Sequence, residues 1–372
     1  MIYKLLLTLI SLSIFISCAD NEQNNSHLNL EETIEGYVEN NFEDNEAGIS
    51  VRLIQSGKSD FSYSKGLARI DGKISIDENT QFRTASITKP FTALAILKLV
   101  EDGRLTVDDK ISSYLTPLPS SYSDITVEHL LTHTSGILDY ITDNNDLSSL
   151  DNLTTSNVLE LIDNSGLENL SFAPGTKGDY SNTGYVLLAL IIEEITNTSF
   201  PLHMKEEFFD PLGMTNSFVI SEDTHLGDFG ENYALSYGYD LNVLGFNSLI
   251  YGANGIVSTI NDLTKFTEAL INHQIVKKET LALMTTTHSS IEGISDYGYG
   301  WLTSTGVYWH TGKHTGRNDY FHSGGYDGYK TLLYISHDLN FQVIILTNNG
   351  ATSEQHMWRL QTEIRNYIKG EN

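Results

Sequence analysis

Apolar residues return along this chain with changing periods, and the order of those periods outlines a fold. Behind Asn29, whose side chain suits a cap position, Leu30, Ile34, Val38 and Phe42 recur at helical spacing. From Gly48 to Arg69 the period drops to two. Ser50-Val51-Arg52-Leu53-Ile54 and Phe61-Ser62-Tyr63 read as strands joined around Ser56-Gly57-Lys58. From about Ile87 to about Met284 the pattern predicts mostly helices and loops. There, Phe91 to Val100 is apolar almost all round, which predicts a helix in the protein centre, ended by Asp102-Gly103; Gly184 to Ile195 reads as a second apolar helix. Near Tyr297 the period of two comes back, and strands are predicted over Tyr297–Thr303, Tyr320–Ser323, Tyr329–Ile335 and Phe341–Leu346. The segment from Thr352 to Lys369 reads as a helix with Met357, Leu360, Ile364 and Ile368 on one face, Gln355 being placed to complete a capping box with Thr352.

Strands at both ends and helices between them predict an α+β fold. One antiparallel sheet is built from both chain ends and flanked by the terminal helices, and a mostly helical lobe is inserted. The sheet lobe is expected over about 29–85 and 286–372, the helical lobe over about 86–285, with a ligand cleft between them.

The first residues change the picture of where such a protein works. One positive charge, Lys4, precedes an apolar run from Leu5 to Ile16, too short to span a bilayer and suited to a signal-peptide core. Ser17-Cys18 follows, and a small residue before the only cysteine resembles a bacterial lipobox. Residues 1–18 are therefore expected to be a lipoprotein-type signal peptide with Cys18 as the lipidation site, and polar residues 19–28 a flexible tether. Residues 29–372 are expected to form the catalytic domain. The protein is then expected in the bacterial cell envelope, facing the periplasm or exterior, its only membrane attachment being the N-terminal lipid. Without residues 1–18, 21 basic residues face 48 acidic ones, a net charge of −27. A surface of that sign excludes nucleic acid as a partner. The sequence sets no oligomeric state.

Three motifs carry candidate chemistry. Ser86-Ile87-Thr88-Lys89 opens the most apolar helical stretch, and residues three apart share a helix face, so the hydroxyl and the amine can meet. A lysine kept neutral by its surroundings can take the proton of a serine nucleophile. Tyr180-Ser181-Asn182 follows the turn Phe172-Ala173-Pro174-Gly175, and His322-Ser323-Gly324-Gly325 ends a predicted strand.

With these motifs the chain resembles the serine β-lactamase and penicillin-binding-protein superfamily. The resemblance is to its branch of class C β-lactamases, soluble D-alanyl-D-alanine carboxypeptidases, esterases and D-aminopeptidases. It runs from about Leu30 to Tyr367 and includes Arg83-Thr84-Ala85 before Ser86, Leu130-Leu131-Thr132-His133-Thr134-Ser135-Gly136, Pro211-Leu212-Gly213-Met214, Tyr251-Gly252-Ala253-Asn254-Gly255-Ile256 and Tyr297-Gly298-Tyr299-Gly300-Trp301. It implies the β-lactamase/transpeptidase-like fold and these roles. Ser86 attacks the substrate carbonyl. Lys89 helps to deprotonate it, the resemblance leaving open whether lysine or another residue is the acylation base. Tyr180 relays a proton to the leaving group and later activates water. Asn182 orients Lys89 and binds a substrate amide. The backbone N–H groups of Ser86 and Gly325 form an oxyanion hole. No cofactor and no metal are implied.

His322 stands where many relatives have lysine, and at its ordinary pKa of about 6.5 it is mostly neutral at pH 7. Gly325 stands where penicillin-recognising members usually carry a carboxylate-binding hydroxyl. His129 and His133 have the spacing of a helical zinc pair but no glutamate between them. His310 and His314 repeat that spacing in a Gly- and Thr-rich segment, and the absence of G-x-S-x-G argues against an α/β-hydrolase. The tyrosines Tyr297, Tyr299, Tyr308, Tyr320, Tyr326 and Tyr329 suit an aromatic pocket or plain strands. The expectation is a metal-free serine acyl hydrolase acting on a small-molecule or peptide substrate, a peptidoglycan stem peptide included. A D-alanyl-D-alanine carboxypeptidase is narrowly preferred to an esterase, and β-lactamase comes third. The rival from another class is a non-catalytic peptidoglycan- or β-lactam-binding protein, which retention of the serine, lysine, tyrosine and asparagine together disfavours.

Overall fold

The computed structural model describes residues 29–140, 153–164, 168–224, 229, 231–237, 248–303, 319–326, 328–350 and 353–369. Cys18, the 19–28 segment, Tyr308, His310, His314 and Thr352, all singled out above, lie outside the described residues.

The two ends of the chain meet in one sheet. Ile49–Gln55 pairs with Phe341–Thr347 on one side and Phe61–Lys65 on the other, with Ile49 opposite both Thr347 and Lys65. Beyond Phe341–Thr347 come Tyr329–Ser336, Asp319–Tyr326, Leu302–Thr303, Ser295–Tyr297 and Ser289–Ile291, every pairing antiparallel. All seven positions of Phe341–Thr347 are buried, so both faces of the sheet centre are covered. The helices Leu30–Asn41 and Ser353–Lys369 pack on each other and on the sheet, and Ile260–Ile271 packs on Ile49–Gln55 and Phe341–Thr347. The first helix starts as its sequence asks: the Asn29 side chain accepts from Glu32 N, and the Glu32 carboxylate accepts from Asn29 N.

The apolar central helix is Thr88–Glu101, buried from Thr88 to Leu97, with Asp102 at its C-cap and Gly103 at φ +68° just beyond. The second apolar helix is Asn182–Thr196, two residues longer at its start than predicted because Ser181 caps it, accepting from Gly184 N at 3.3 Å.

The segment Tyr297–Thr303 departs from expectation. It is not one strand but the end of Ser295–Tyr297, a turn, and Leu302–Thr303. Two glycines account for the break. A Cβ on Gly298 would lie 2.2 Å from Met284 O, and Gly300, at φ +80°, seats its backbone against Lys89 O and Ala93. A three-stranded sheet of Phe82–Arg83, Ile256–Ser258 and Phe218–Val219 also went unpredicted, since two or three residues are too few to show a period.

Candidate active site

Ser86 lies in the tight turn Ala85–Ile87 that runs into Thr88–Glu101. Ala85 has φ +50°, a left-handed conformation that a residue with a Cβ rarely adopts and that persists only where neighbours hold it. The neighbours are visible. Thr84 N and Oγ1 both donate to Ile256 O at 2.9 Å, and Thr331 Oγ1 donates to Thr84 O at 2.8 Å. Pro90 falls in the first helical turn, where its missing N–H leaves no hydrogen bond unmade.

One turn on, Lys89 is wholly buried. Its Nζ is 3.2 Å from Ser86 Oγ, 2.7 Å from Asn182 Oδ1 and 3.0 Å from Ala253 O. Burial pushes Lys89 down from its ordinary 10.5 to about 7, and the charge of Asp139 opposes that fall. A neutral amine has two N–H groups and one lone pair. Asn182 Oδ1 and Ala253 O take the N–H groups, which leaves the lone pair for the Ser86 proton. The loop carrying Ala253 is clipped to the same helix: Thr92 Oγ1 donates to Gly252 O at 2.7 Å, and Ile256 N donates to Thr88 Oγ1 at 3.2 Å. Gly252 sits at φ +94°, and a Cβ there would meet Tyr185 O at 2.5 Å.

Tyr180 forms the roof over this pair, its ring centroid 4.7 Å from Lys89 Nζ. Burial raises its pKa well above the usual phenol range, against a hydrogen bond from Ser86 that lowers it, so the phenol keeps its proton. Behind it the His133 imidazole stacks at 4.3 Å. His133 Nδ1 accepts from Ser181 N at 3.1 Å, and burial holds the ring well below its ordinary pKa, hence neutral. His129 is engaged elsewhere, its Nδ1 accepting from Thr126 N at 3.2 Å. Each of the two histidines thus gives its Nδ1 lone pair to a backbone N–H.

Across the cleft, His322 is 1% exposed, and its state differs from the expectation of an ordinary histidine. Its Nδ1 donates to Ser323 O at 2.7 Å and its Nε2 accepts from Tyr297 OH at 3.0 Å. Burial, helped by the nearby Lys89, pushes its pKa to about 3, so it stays neutral throughout the physiological range. Gly324 passes so close to the serine turn that a Cβ would lie 2.3 Å from Thr331 Oγ1 and 2.4 Å from Thr84 O. Gly325 is exposed, and a Cβ there would meet only the Lys330 side chain, whose ammonium pairs with Glu354 at 2.9 Å.

A cavity of about 300 Å³ opens here, lined by Ser86, Tyr180, His322, Ser323 and Gly325 together with apolar Ile294, Leu302 and Phe321. All eight envisaged site residues of the domain are thus brought together, Lys89 and Asn182 behind the cavity wall and Gly324 beneath it. Sequence reasoning missed Asp139, which holds Asn182, as well as the Ala253 carbonyl on Lys89 and the Tyr297 hydroxyl on His322. The two glycine-containing motifs around Ala253 and Tyr297 were the available signal for the last two.

Fold and site together define a protein of the serine β-lactamase and transpeptidase type. The family model described as Beta-lactamase matches residues 30–366, and the chain belongs to that family, which supports a serine acyl hydrolase. It is 30% identical over 327 residues to penicillin-binding protein 4* of Bacillus subtilis (strain 168), covering 82% of this chain and 69% of that protein. An octameric penicillin-binding protein homologue from Pyrococcus abyssi superposes with TM-score 0.73 at 27% identity, over 87% of this chain and 73% of the other. A D-amino acid amidase from Ochrobactrum anthropi SV3 does so with TM-score 0.72 at 26% identity, over 86% and 93%.

Proposed function

We propose that this protein hydrolyses amides or esters through a covalent acyl-enzyme on Ser86, and that it prefers substrates whose leaving group carries no charge. The observation that carries the chemistry is the coordination of Lys89: two acceptors for its N–H groups and Ser86 Oγ in the third direction. In acylation the Ser86 oxygen bonds to the substrate carbonyl carbon as its proton passes to Lys89. The bond to the leaving nitrogen or oxygen then breaks, that atom taking a proton through Tyr180. In deacylation a water oxygen bonds to the acyl carbon as its proton passes through the Tyr180 hydroxyl to neutral Lys89; the bond to Ser86 then breaks, the acid leaves, and Lys89 returns the proton to the Ser86 oxygen.

The substrate reading rests on the cavity. Tyr180 serves the leaving group, so the cavity beside Tyr180 and His322 receives it. The described residues lining that space include no charged side chain, and His322 is neutral where an ammonium would attract a carboxylate. From sequence alone a carboxypeptidase is narrowly preferred; the apolar lining favours instead a neutral amide or ester. The likeness to a D-amino acid amidase points to D-amino-acid acyl groups.

The test is one acyl-D-alanyl series with three leaving groups, D-alanine, ammonia and a nitrophenol, on wild type and Ser86→Ala. We expect kcat/KM for the amide and ester to exceed that for the carboxylate-bearing peptide by tenfold or more, and Ser86→Ala to lose on the order of 10⁴-fold on all three. Undiminished turnover by Ser86→Ala would end the mechanism, and a preference for D-alanine release would end the substrate reading.

A further inference from the structure

Asp139 lies on the Gly136–Tyr140 segment, which is tied to the start of the Asn182–Thr196 helix. Tyr140 N donates to Thr183 Oγ1 at 2.9 Å, and that hydroxyl donates to Leu138 O at 2.9 Å. There, one carboxylate oxygen of Asp139 accepts twice from a single residue, from Asn182 N at 2.9 Å and from Asn182 Nδ2 at 2.8 Å. This pairing decides which way the amide points. With Nδ2 on the carboxylate, Oδ1 faces Lys89 Nζ at 2.7 Å. Turned over, the amide would set oxygen against carboxylate and N–H against the amine, a loss at both ends.

We propose that Asp139 is a positioning residue for the Ser86–Lys89 pair, acting through the amide of Asn182 and through its own charge. The inference rests on the acyl-enzyme reading above. The groups facing Lys89 are Tyr180 and Tyr185, whose ring centroids lie 4.7 and 5.6 Å from Nζ, the neutral His133 and His322, and Asp139. Of these Asp139 is the anion, and it holds Lys89 above the value that burial alone would give. The amide therefore fixes where the amine sits, and the carboxylate fixes the pH at which it becomes a base.

Two substitutions separate these effects. Asp139→Asn retains an oxygen able to accept both Asn182 bonds and removes the charge; Asp139→Ala removes both. The readout is the rate at which a fluorophosphonate probe labels the protein as a function of pH. That reaction needs no turnover: the Ser86 oxygen bonds to phosphorus, fluoride leaves, and the serine proton goes to Lys89. For wild type the rate rises through pH about 7. We expect Asp139→Asn to move that midpoint to lower pH by up to about one unit with the plateau nearly unchanged. Asp139→Ala is expected to drop the plateau by about 10- to 100-fold. A residue that only caps the helix would lower thermal stability in both variants and leave the midpoint where it was, which would overturn the proposal. Wild type that is not labelled, or Ser86→Ala that is, would instead overturn the acyl-enzyme reading beneath it.

Discussion

The two walls of the cleft use their polar groups in opposite ways. On the helical wall, polar atoms are aimed at one another: Asp139 on Asn182, Asn182 and Ala253 on Lys89, Lys89 on Ser86. On the strand wall each is bonded locally instead: His322 to its own strand and to Tyr297, Lys330 to Glu354. There the cavity is lined by Ser323 and the neutral His322 beside glycine backbone, Leu302 and Ile294, with no charged side chain among the described residues. A chain of mutually oriented groups fails as a unit when one member is lost, whereas a wall of backbone and apolar surface is altered locally. The contrast assigns reaction rate to the helical wall and substrate choice to the strand wall.

The hardest test of this division is Lys89→Met, which keeps the volume of the buried side chain and removes its nitrogen. Turnover should fall by about 10²- to 10⁴-fold, the range for loss of a general base, with KM little changed. Wild-type kcat/KM should rise through pH about 7 as Lys89 loses its proton, with no fall at mildly alkaline pH, since Tyr180 keeps its proton well above the usual phenol range. Stability should move too. Between pH about 7 and 10.5 the unfolded chain binds a proton at Lys89 that the native state does not, so wild type becomes more stable as pH rises. The slope from one group is at most about 1.4 kcal/mol per pH unit. Denaturant titrations across that range should show this contribution in wild type and not in Lys89→Met. A large KM effect with preserved kcat would place Lys89 in binding rather than chemistry.

How far each wall was legible in the sequence follows from the range of the contacts that build it. Ser86 and Lys89 are three residues apart on an apolar helix, so local geometry announces their meeting. The long strands announced themselves by alternation, and the sheet closing Ile49–Gln55 onto Phe341–Thr347 followed from strands at both chain ends. Asp139 and Asn182 are 43 residues apart, and Asp139 sits in an irregular segment with no period, where an aspartate looks like any turn residue. The pKa of His322 was equally hidden. A histidine in a motif suggests its ordinary value, and only the packing that leaves it 1% exposed lowers it to about 3. The turn at Gly298–Gly300 was concealed by aromatic residues that read as strand.

Next in size is Gly324→Ala, which attacks the junction of the walls. A Cβ there would overlap Thr84 O, held by Thr331, at 2.4 Å and Thr331 Oγ1 at 2.3 Å, and neither belongs to a side chain free to swing away. Overpacking of this kind costs about 1–3 kcal/mol. Because the displaced group is the turn that presents Ser86, kcat should fall along with the melting temperature. A stable, fully active Gly324→Ala protein would show that the strand does not need to lie against the serine turn.

The smallest effect on the fold is expected one residue further on. A Cβ on Gly325 would meet only Lys330 Nζ at 3.0 Å, with Cδ at 3.7 Å, the far end of a side chain that can shift. Gly325→Ala should therefore change stability by no more than about 0.5 kcal/mol. Ester turnover should stay within about threefold, because the backbone N–H remains in place. Gly325→Thr then asks a sharper question, since it restores the hydroxyl that carboxylate-recognising relatives carry, on a residue type that suits a strand. A hydrogen bond to a charged group is worth about 1.5–3 kcal/mol, so a carboxylate within its reach would gain about tenfold or more in kcat/KM. The measure is the ratio of D-alanine release to ammonia release, which cancels any general loss of activity. A ratio that rises in Gly325→Thr and not in Gly325→Ala places substrate choice on the strand wall. If the ratio is unmoved while both variants fold and turn over ester, the leaving group lies beyond residue 325, and the division of labour between the walls must be redrawn.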